Sequence, residues 1–401
     1  MSENPEVVPR GGSLRPRASA GVLNALLLLA SLAFTSGLLE VVIRLVSHVS
    51  PSLLVTDATR GKHWVADYDA SVFVPESGKP VRLRFHHDGF RGGELPYARP
   101  PGVQRIVVLG DSMIAAVAVE EPHTLVGRLE AGLNRDRGPT ATGDTRVRVE
   151  VLNFGVSSAS TGQELVTYRE TARRYQPDLV LLAFNAGNDL ADNCTCLSRA
   201  PRLYFELDQR GRLVERPYSP PAAALRAWLD RHSRLYVWQR EAFARLRARF
   251  REQAGRLEPG AEIFRVDGTE PVETAWRVTD ALFEAVRDAT AADGARLAVL
   301  LVPAPEEIYD DLWRELTQRA GASAGALDRG HPGRRLAAIA ARLGVPFLDL
   351  GNALRAAAPR RDSSLAEEQL YFFRRYHLNE RGNAVAADAV QRWLEATGFG
   401  R

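Results

Sequence analysis

Lysine is almost absent from this chain. Of its 401 residues 52 are basic, and all of these but Lys62 and Lys79 are arginine. The arginine excess accompanies alanine-rich helical stretches, the mark of a GC-rich coding sequence. That bias accounts for a net charge of +3 and a pI near 9.0 without a polyanionic partner. No basic run is interleaved with stacking aromatics, which argues against nucleic-acid binding. Cysteine is equally scarce. Cys194 and Cys196 flank one residue, and no second cysteine pair or helical histidine pair completes a zinc set, so neither a metal nor a cofactor is expected. In an oxidising compartment the two can pair across a very short loop; otherwise they remain thiols. Nor does a glycine-rich loop follow the first predicted core strand, which argues against a phosphate cradle.

Apolar sequence is plentiful at 45%, enough for a large buried core. One piece of it is continuous. Residues 18–39 carry no charge and, as a helix at 1.5 Å per residue, would span roughly 33 Å, the width of a bilayer core. Arg10, Arg15 and Arg17 precede it, which predicts a cytoplasmic amino terminus and an exported body on a single-pass anchor in a bacterial inner membrane. A cleaved signal would have a shorter apolar core and a better small-residue box than Ala33-Phe34-Thr35. Glu40 and Arg44, one turn apart, extend the helix past the membrane. The expected division is a tail at 1–17, an anchor at 18–44, a lead-in at 45–104 and a periplasmic or extracellular domain at 105–398. Within the lead-in, 72–74 and 81–85 alternate like a short hairpin.

Five buried-strand patterns follow, at 105–109, 147–153, 179–184, 296–302 and 345–350, separated by helical patterns such as 124–133 and 163–175. Alternating strands and helices predict a three-layer α/β/α domain on a parallel five-stranded sheet with right-handed crossovers. Residues 194–294 form a mixed α/β insertion. Asp208-Gln209-Arg210-Gly211 signals a hairpin, and 226–251 reads as one helix with a stripe of Leu229, Leu235, Trp238 and Phe243. That stripe is expected to pack on the core, with part of the insertion covering the site.

Four separated segments carry chemistry: Gly110-Asp111-Ser112, Asn153-Phe154-Gly155-Val156-Ser157-Ser158, Gly187-Asn188-Asp189 and His377-Leu378-Asn379. Ser112 falls at the carboxyl edge of a predicted parallel strand and the head of a helix, where open α/β sheets place their sites. In order and wording the segments resemble the SGNH (GDSL-like) hydrolase superfamily, and within it the membrane-anchored bacterial subgroup. The resemblance runs from Gly89-Phe90-Arg91 to about Asp388. It implies a flavodoxin-like strand order 2-1-3-4-5, Ser112 as nucleophile and His377 as general base. It also implies an oxyanion hole from the backbone N–H groups of Ser112 and Ser158 with the Asn188 amide. Asp111 and Asp189 read as supporting groups.

Two departures stand out. Ser158 occupies a family glycine, and Arg374 and Arg375 occupy the place of the acid that normally precedes the histidine by two or three residues. Either another group holds His377 (Asp349, Glu367, Glu368 or a backbone carbonyl), or the site is slow or dead. Asp328 and His331 spell the family's Asp-x-x-His-Pro before a predicted helix and form the alternative acid–base pair. The resemblance implies an extracytoplasmic serine esterase, or an O-acyltransferase if a sugar hydroxyl replaces water, acting on acyl (above all acetyl) esters of a glycan. The competing reading is a degenerate module that binds a glycan or a membrane partner without catalysis. His86, His87 and His123 belong to no motif and read as surface or loop residues.

Overall fold

The computed structural model describes residues 18–46, 52–57, 60–135, 147–198, 202–216, 223–253, 261–359, 368–372 and 376–399. The chain opens with α1 (Ala18–Val46) and two hairpins, β1 (Leu54–Asp57) with β2 (Gly61–Trp64) and β3 (Tyr68–Val74) with β4 (Lys79–Phe85). The sheet begins at β5 (Val103–Gly110), followed by α2 (Ser112–Ala115), α3 (Leu125–Asn134), β6 (Arg148–Gly155), α4 (Thr161–Glu170), β7 (Leu179–Asn185) and α5 (Asp189–Asn193). The insertion holds β8 (Tyr204–Leu207), β9 (Leu213–Arg216), α6 (Ala223–His232) and α7 (Arg234–Gln253). Next come α8 (Glu270–Ala292), β10 (Arg296–Val302), α9 (Pro305–Ile308), α10 (Asp310–Ala320), α11 (His331–Leu343), β11 (Phe347–Asp349) and α12 (Gly351–Ala357). A last short pair, β12 (Tyr371–Phe372) and β13 (His377–Leu378), leads into α13 (Glu380–Ala396).

Five strands form one parallel sheet in the order β6-β5-β7-β10-β11, which is the 2-1-3-4-5 arrangement. The central strands are buried along nearly their whole length because helices cover both faces, hence their unbroken apolar runs. On one face Leu165 and Tyr168 of α4, Trp276 and Phe283 of α8 and Leu336 of α11 close the core. On the other, Leu125 and Leu129 of α3, Leu354 of α12 and Val390 of α13 do so.

The β3–β4 hairpin is longer than its alternating residues suggested, and it is part of the domain. Val81, Leu83 and Phe85 are buried against Trp64, Ala115, Val156 and Ala159, while Arg82 and Arg84 face outward, the period of a half-buried strand. Trp64 stacks on Phe85 at 4.8 Å, and its indole N–H donates to the Gly155 carbonyl at 2.8 Å. His86 corrects the surface reading. It is buried, stacked on Phe90 at 4.3 Å, with Nε2 2.7 Å from Glu94.

Two expectations for the insertion also change. The predicted single helix breaks at Ser233 into α6 and α7, and the stripe does not pack on the core: Trp238 and Phe243 are exposed, and Leu229 and Leu235 are only half-buried. The start of α7 is tied to α1 instead. Glu40 accepts hydrogen bonds from the Arg234 and Leu235 N–H groups at 3.0 and 2.9 Å and from Ser233 Oγ at 2.9 Å. Cys194 and Cys196 are joined in a disulfide.

Candidate active site

Strand β5 ends at Gly110, and the next residue turns the chain. The Asp111 carboxylate accepts from the Met113 N–H at 2.8 Å, capping α2, and from the Asn185 amide at 2.9 Å, which ties the turn to the neighbouring end of β7. Glycine is needed at 155: a Cβ there would lie 2.2 Å from the Ala115 nitrogen, so only a bare backbone lets β6 pass beneath α2. The Asn153 amide donates to the Ile114 carbonyl at 2.8 Å. Arg91 is wholly buried and donates to the carbonyls of Ala115, Ala116 and Val119 at 2.7, 2.6 and 2.6 Å. These three carbonyls face the end of α2, so the Gly89-Phe90-Arg91 segment locks the helix that presents Ser112. Among the described groups Arg91 lacks a salt-bridge partner, and burial lowers its pKa to about 10.

Ser112 Oγ lies 2.9 Å from Nε2 of His377. The histidine is placed from below by Asn379, whose side chain caps α13 at Gly382 N–H (2.9 Å) and donates to the Gln369 carbonyl (2.7 Å). The other ring nitrogen answers what the sequence left open. Nδ1 lies 2.7 and 2.9 Å from the two carboxylate oxygens of Glu76, whose side chain is only 6% exposed. A carboxylate can only accept, so the ring proton sits on Nδ1 and Nε2 is free to take the Ser112 hydroxyl proton.

Glu76 sits in the turn of the β3–β4 hairpin, Pro75-Glu76-Ser77-Gly78. Gly78 adopts φ +69° and closes the turn by donating to the Val74 carbonyl at 2.9 Å. Lys79 reaches Glu380 at 2.6 Å and pins the hairpin to the start of α13, beside the histidine. The carboxylate beside the histidine therefore comes from the lead-in. The proposed holders are set aside: Asp349 accepts from the Gly351 N–H at 2.7 Å, and Glu368 makes no hydrogen bond to His377. Glu367, Arg374 and Arg375 lie outside the described residues. The Asp328–His331 alternative fails for a local reason. Arg334, in the first turn of α11, takes the Asp328 carboxylate at 2.6 Å, and His331 stands edge-on to Trp276 at 6.0 Å, with no hydrogen bond from either to Ser112.

Ser158 adopts φ +59°, the left-handed conformation in which glycine is at ease, and its side chain is exposed. A backbone conformation that glycine adopts freely is thus imposed on a serine, at the cost of strain. Ser158→Gly is expected to stabilise the fold by about 0.5–1 kcal/mol, relief of strain outweighing the added freedom of the unfolded chain, with turnover unchanged. Urea melts of the two proteins check this; a destabilised glycine variant would show that Ser158 is not strained. Asn188 begins α5, and its amide donates to Asp192 at 3.0 Å; Asp192 is in turn paired with Arg202. Lys62 Nζ lies 3.5 Å from the Ser158 carbonyl, and burial, aided by the charge of Arg202, lowers its pKa to about 8.

Three buried carboxyl groups lie near the nucleophile turn. Asp189 accepts from the Asn185 N–H at 2.6 Å, and burial and the neighbouring carboxylates push Asp189, Glu164 and Asp111 upward. Both oxygens of Glu164 lack a partner among the described residues, so its neutral form is favoured. The sign follows: above the ordinary Glu value of 4.5 the unfolded chain loses a proton that the native state keeps, so stability falls as pH rises. Glu164→Gln is expected to lessen that slope, by up to about 1.4 kcal/mol per pH unit, with Asp189 and Asp111 contributing the remainder. Denaturant melts between roughly pH 5 and 8 test it, and identical slopes in the two proteins would refute it.

His86, His87 and Asp88 bring one possible metal-ligand atom each within 4.8 Å of one another. His87 already engages Glu94 at 2.6 Å and Tyr97 at 2.8 Å, and Asp88 accepts from Tyr175 at 2.8 Å, so the group reads as hydrogen-bonded scaffold.

The strand order 2-1-3-4-5 is the one expected, and Ser112 and His377 stand within hydrogen-bond distance. No protein-family model matches the chain, and no curated protein does. Similar solved structures include TesA, at 12% identity over 73% of this chain and 99% of that one, with a TM-score of 0.36. The acetyl xylan esterase AlAXEase has 13% identity over 72% of this chain and 99% of that one, with a TM-score of 0.39. A catalytic mutant of an acetylxylan esterase from Geobacillus stearothermophilus has 13% identity over 74% and 94%, with a TM-score of 0.38. Likenesses this remote add nothing to the strand order and the contacts of Ser112, His377 and Glu76.

Proposed function

We propose that this chain is a serine-dependent acyl-ester hydrolase of the SGNH type, held by α1 at the outer face of a bacterial inner membrane. The observation that carries the reading is the unbroken relay from Ser112 through His377 to Glu76. Ser112 Oγ attacks the ester carbonyl as Nε2 of His377 takes its proton, and Glu76 stabilises the imidazolium that forms. The backbone N–H groups of Ser112 and Ser158 receive the oxyanion, joined by the Asn188 amide, whose other hydrogen is held by Asp192. The alcohol leaves with the proton from His377, and an acyl-serine remains. Water deprotonated by the same histidine then releases the acid; a sugar hydroxyl in its place would make the enzyme an O-acyltransferase. Acetyl esters of an exported glycan are the substrate class the subgroup resemblance suggests. The non-catalytic reading drew on Arg374, Arg375 and Ser158; the carboxylate of Glu76 beside His377 weighs against it.

Labelling the full-length protein with a serine-directed fluorophosphonate tests the reading. A label on Ser112, together with turnover of p-nitrophenyl acetate, supports it; neither label nor turnover returns the chain to a binding module. The anchor reading rests on α1, whose residues from Gly21 to Val46 are long and apolar enough to cross a membrane and are unburied. An exported body predicts that alkaline phosphatase fused after Arg401 is active, and activity of a cytoplasm-only reporter at that position would overturn the orientation.

A further inference from the structure

The insertion leaves a row of large apolar side chains uncovered. Leu225 and Trp228 of α6 and Trp238, Phe243 and Leu246 of α7 are between 45% and 61% exposed. Scattered singly on a surface such residues need no explanation; here five lie on two consecutive helices and offer an apolar surface. The depth of that face relative to α1 is fixed. Glu40, the first charge after the uncharged run of residues 18–39, accepts the first N–H groups of α7, and Arg44 donates to the His232 carbonyl at 2.8 Å. Asp230 of α6 accepts from the Ser52 N–H at 3.0 Å. The junction of α6 and α7 is therefore bolted to the end of α1 where its apolar run gives way to charge.

We infer that α6 and α7 lie on the bilayer surface beside their own anchor, with Trp228, Trp238 and Phe243 in the lipid interface. This rests on reading α1 as a membrane anchor. Amphipathic rings are favoured at the depth where hydrocarbon meets headgroups, and α7 carries six arginines against two glutamates, a charge balance that suits anionic headgroups. The bonds to Glu40 explain why this stripe is not packed on the sheet, and they orient the domain on the membrane instead of letting it swing on a linker.

Tryptophan content makes this testable in the intact protein. The chain has six tryptophans, and α1 contains none, so the anchor is silent in tryptophan fluorescence. The full-length protein is reconstituted in vesicles of phosphatidylcholine and phosphatidylglycerol, with ordinary or brominated acyl chains. Bromine is expected to quench about a quarter to a third of the emission, the share of two tryptophans in six, and the Trp228→Phe/Trp238→Phe protein should lose that quenching while keeping its fluorophosphonate labelling. A protein that floats with the vesicles without being quenched, or whose quenching survives the double substitution, overturns the surface assignment and leaves the anchor intact. A second copy seated on this face would shield the rings and run as a dimer, which also overturns it. A protein that does not float at all removes both the anchor and the surface assignment.

Discussion

Ser112→Ala is expected to remove turnover of p-nitrophenyl acetate by on the order of 10⁶ in kcat and to abolish fluorophosphonate labelling. The fold should not notice. Among the described residues the Ser112 hydroxyl bonds to His377 and, at 3.4 Å, to Asp111, whose capping bond to Met113 and bond to Asn185 remain, so stability should move by no more than about 0.5 kcal/mol. Loss of the nucleophile with an unchanged urea midpoint is the signature sought. Wild-type turnover in the alanine protein would mean that another group attacks the ester, and the assignment of the site would fall with it.

The second large effect belongs to a residue no motif marks. Glu76→Gln keeps the size of the side chain but gives the ring an amide that can present N–H where a carboxylate only accepted. The imidazole can then turn over its tautomer, with Nδ1 accepting from the amide and Nε2 carrying the proton, and it can no longer accept from Ser112. A loss of about 10⁴ in kcat is expected, the scale of the same exchange in a serine-protease triad. Glu76→Asp, which keeps the charge but shortens the reach, should retain more activity than Glu76→Gln. Should the glutamine protein turn over within a factor of ten of wild type, the Glu76 contact is structural, and His377 is oriented by something else.

The places where sequence reading succeeded and failed have separable causes. The central strands were legible because both faces are covered, so burial writes an apolar run into β5, β7 and β10. Ser112 and His377 were legible because each sits in a local turn whose wording is fixed by backbone needs: the Asp111 cap, the glycine beneath α2 and the Asn379 cap. Glu76 was not, because nothing near position 76 records that position 377 will fold against it. The signal available was slight, a carboxylate between Pro75 and Gly78 in the turn of an alternating hairpin. Asp328 and His331 show the converse. Their spelling is right, but Arg334 claims the acid. The stripe of α6 and α7 was seen as apolar and assigned to the core because periodicity reports that a face avoids water, not what covers it.

The acid and the base of the site are separated by 301 residues. A chain that emerges amino end first has therefore presented its Glu76 hairpin before the histidine has been made. Between those moments, no partly folded form can assemble the relay, however well the sheet has formed around Ser112. Under the proposed function, catalytic competence becomes a certificate of completion: it would appear only when β13 and α13 dock against the hairpin, and a nick that frees either end would withdraw it. A hydrolase built in this way would stay inert through the stages at which it is least controlled.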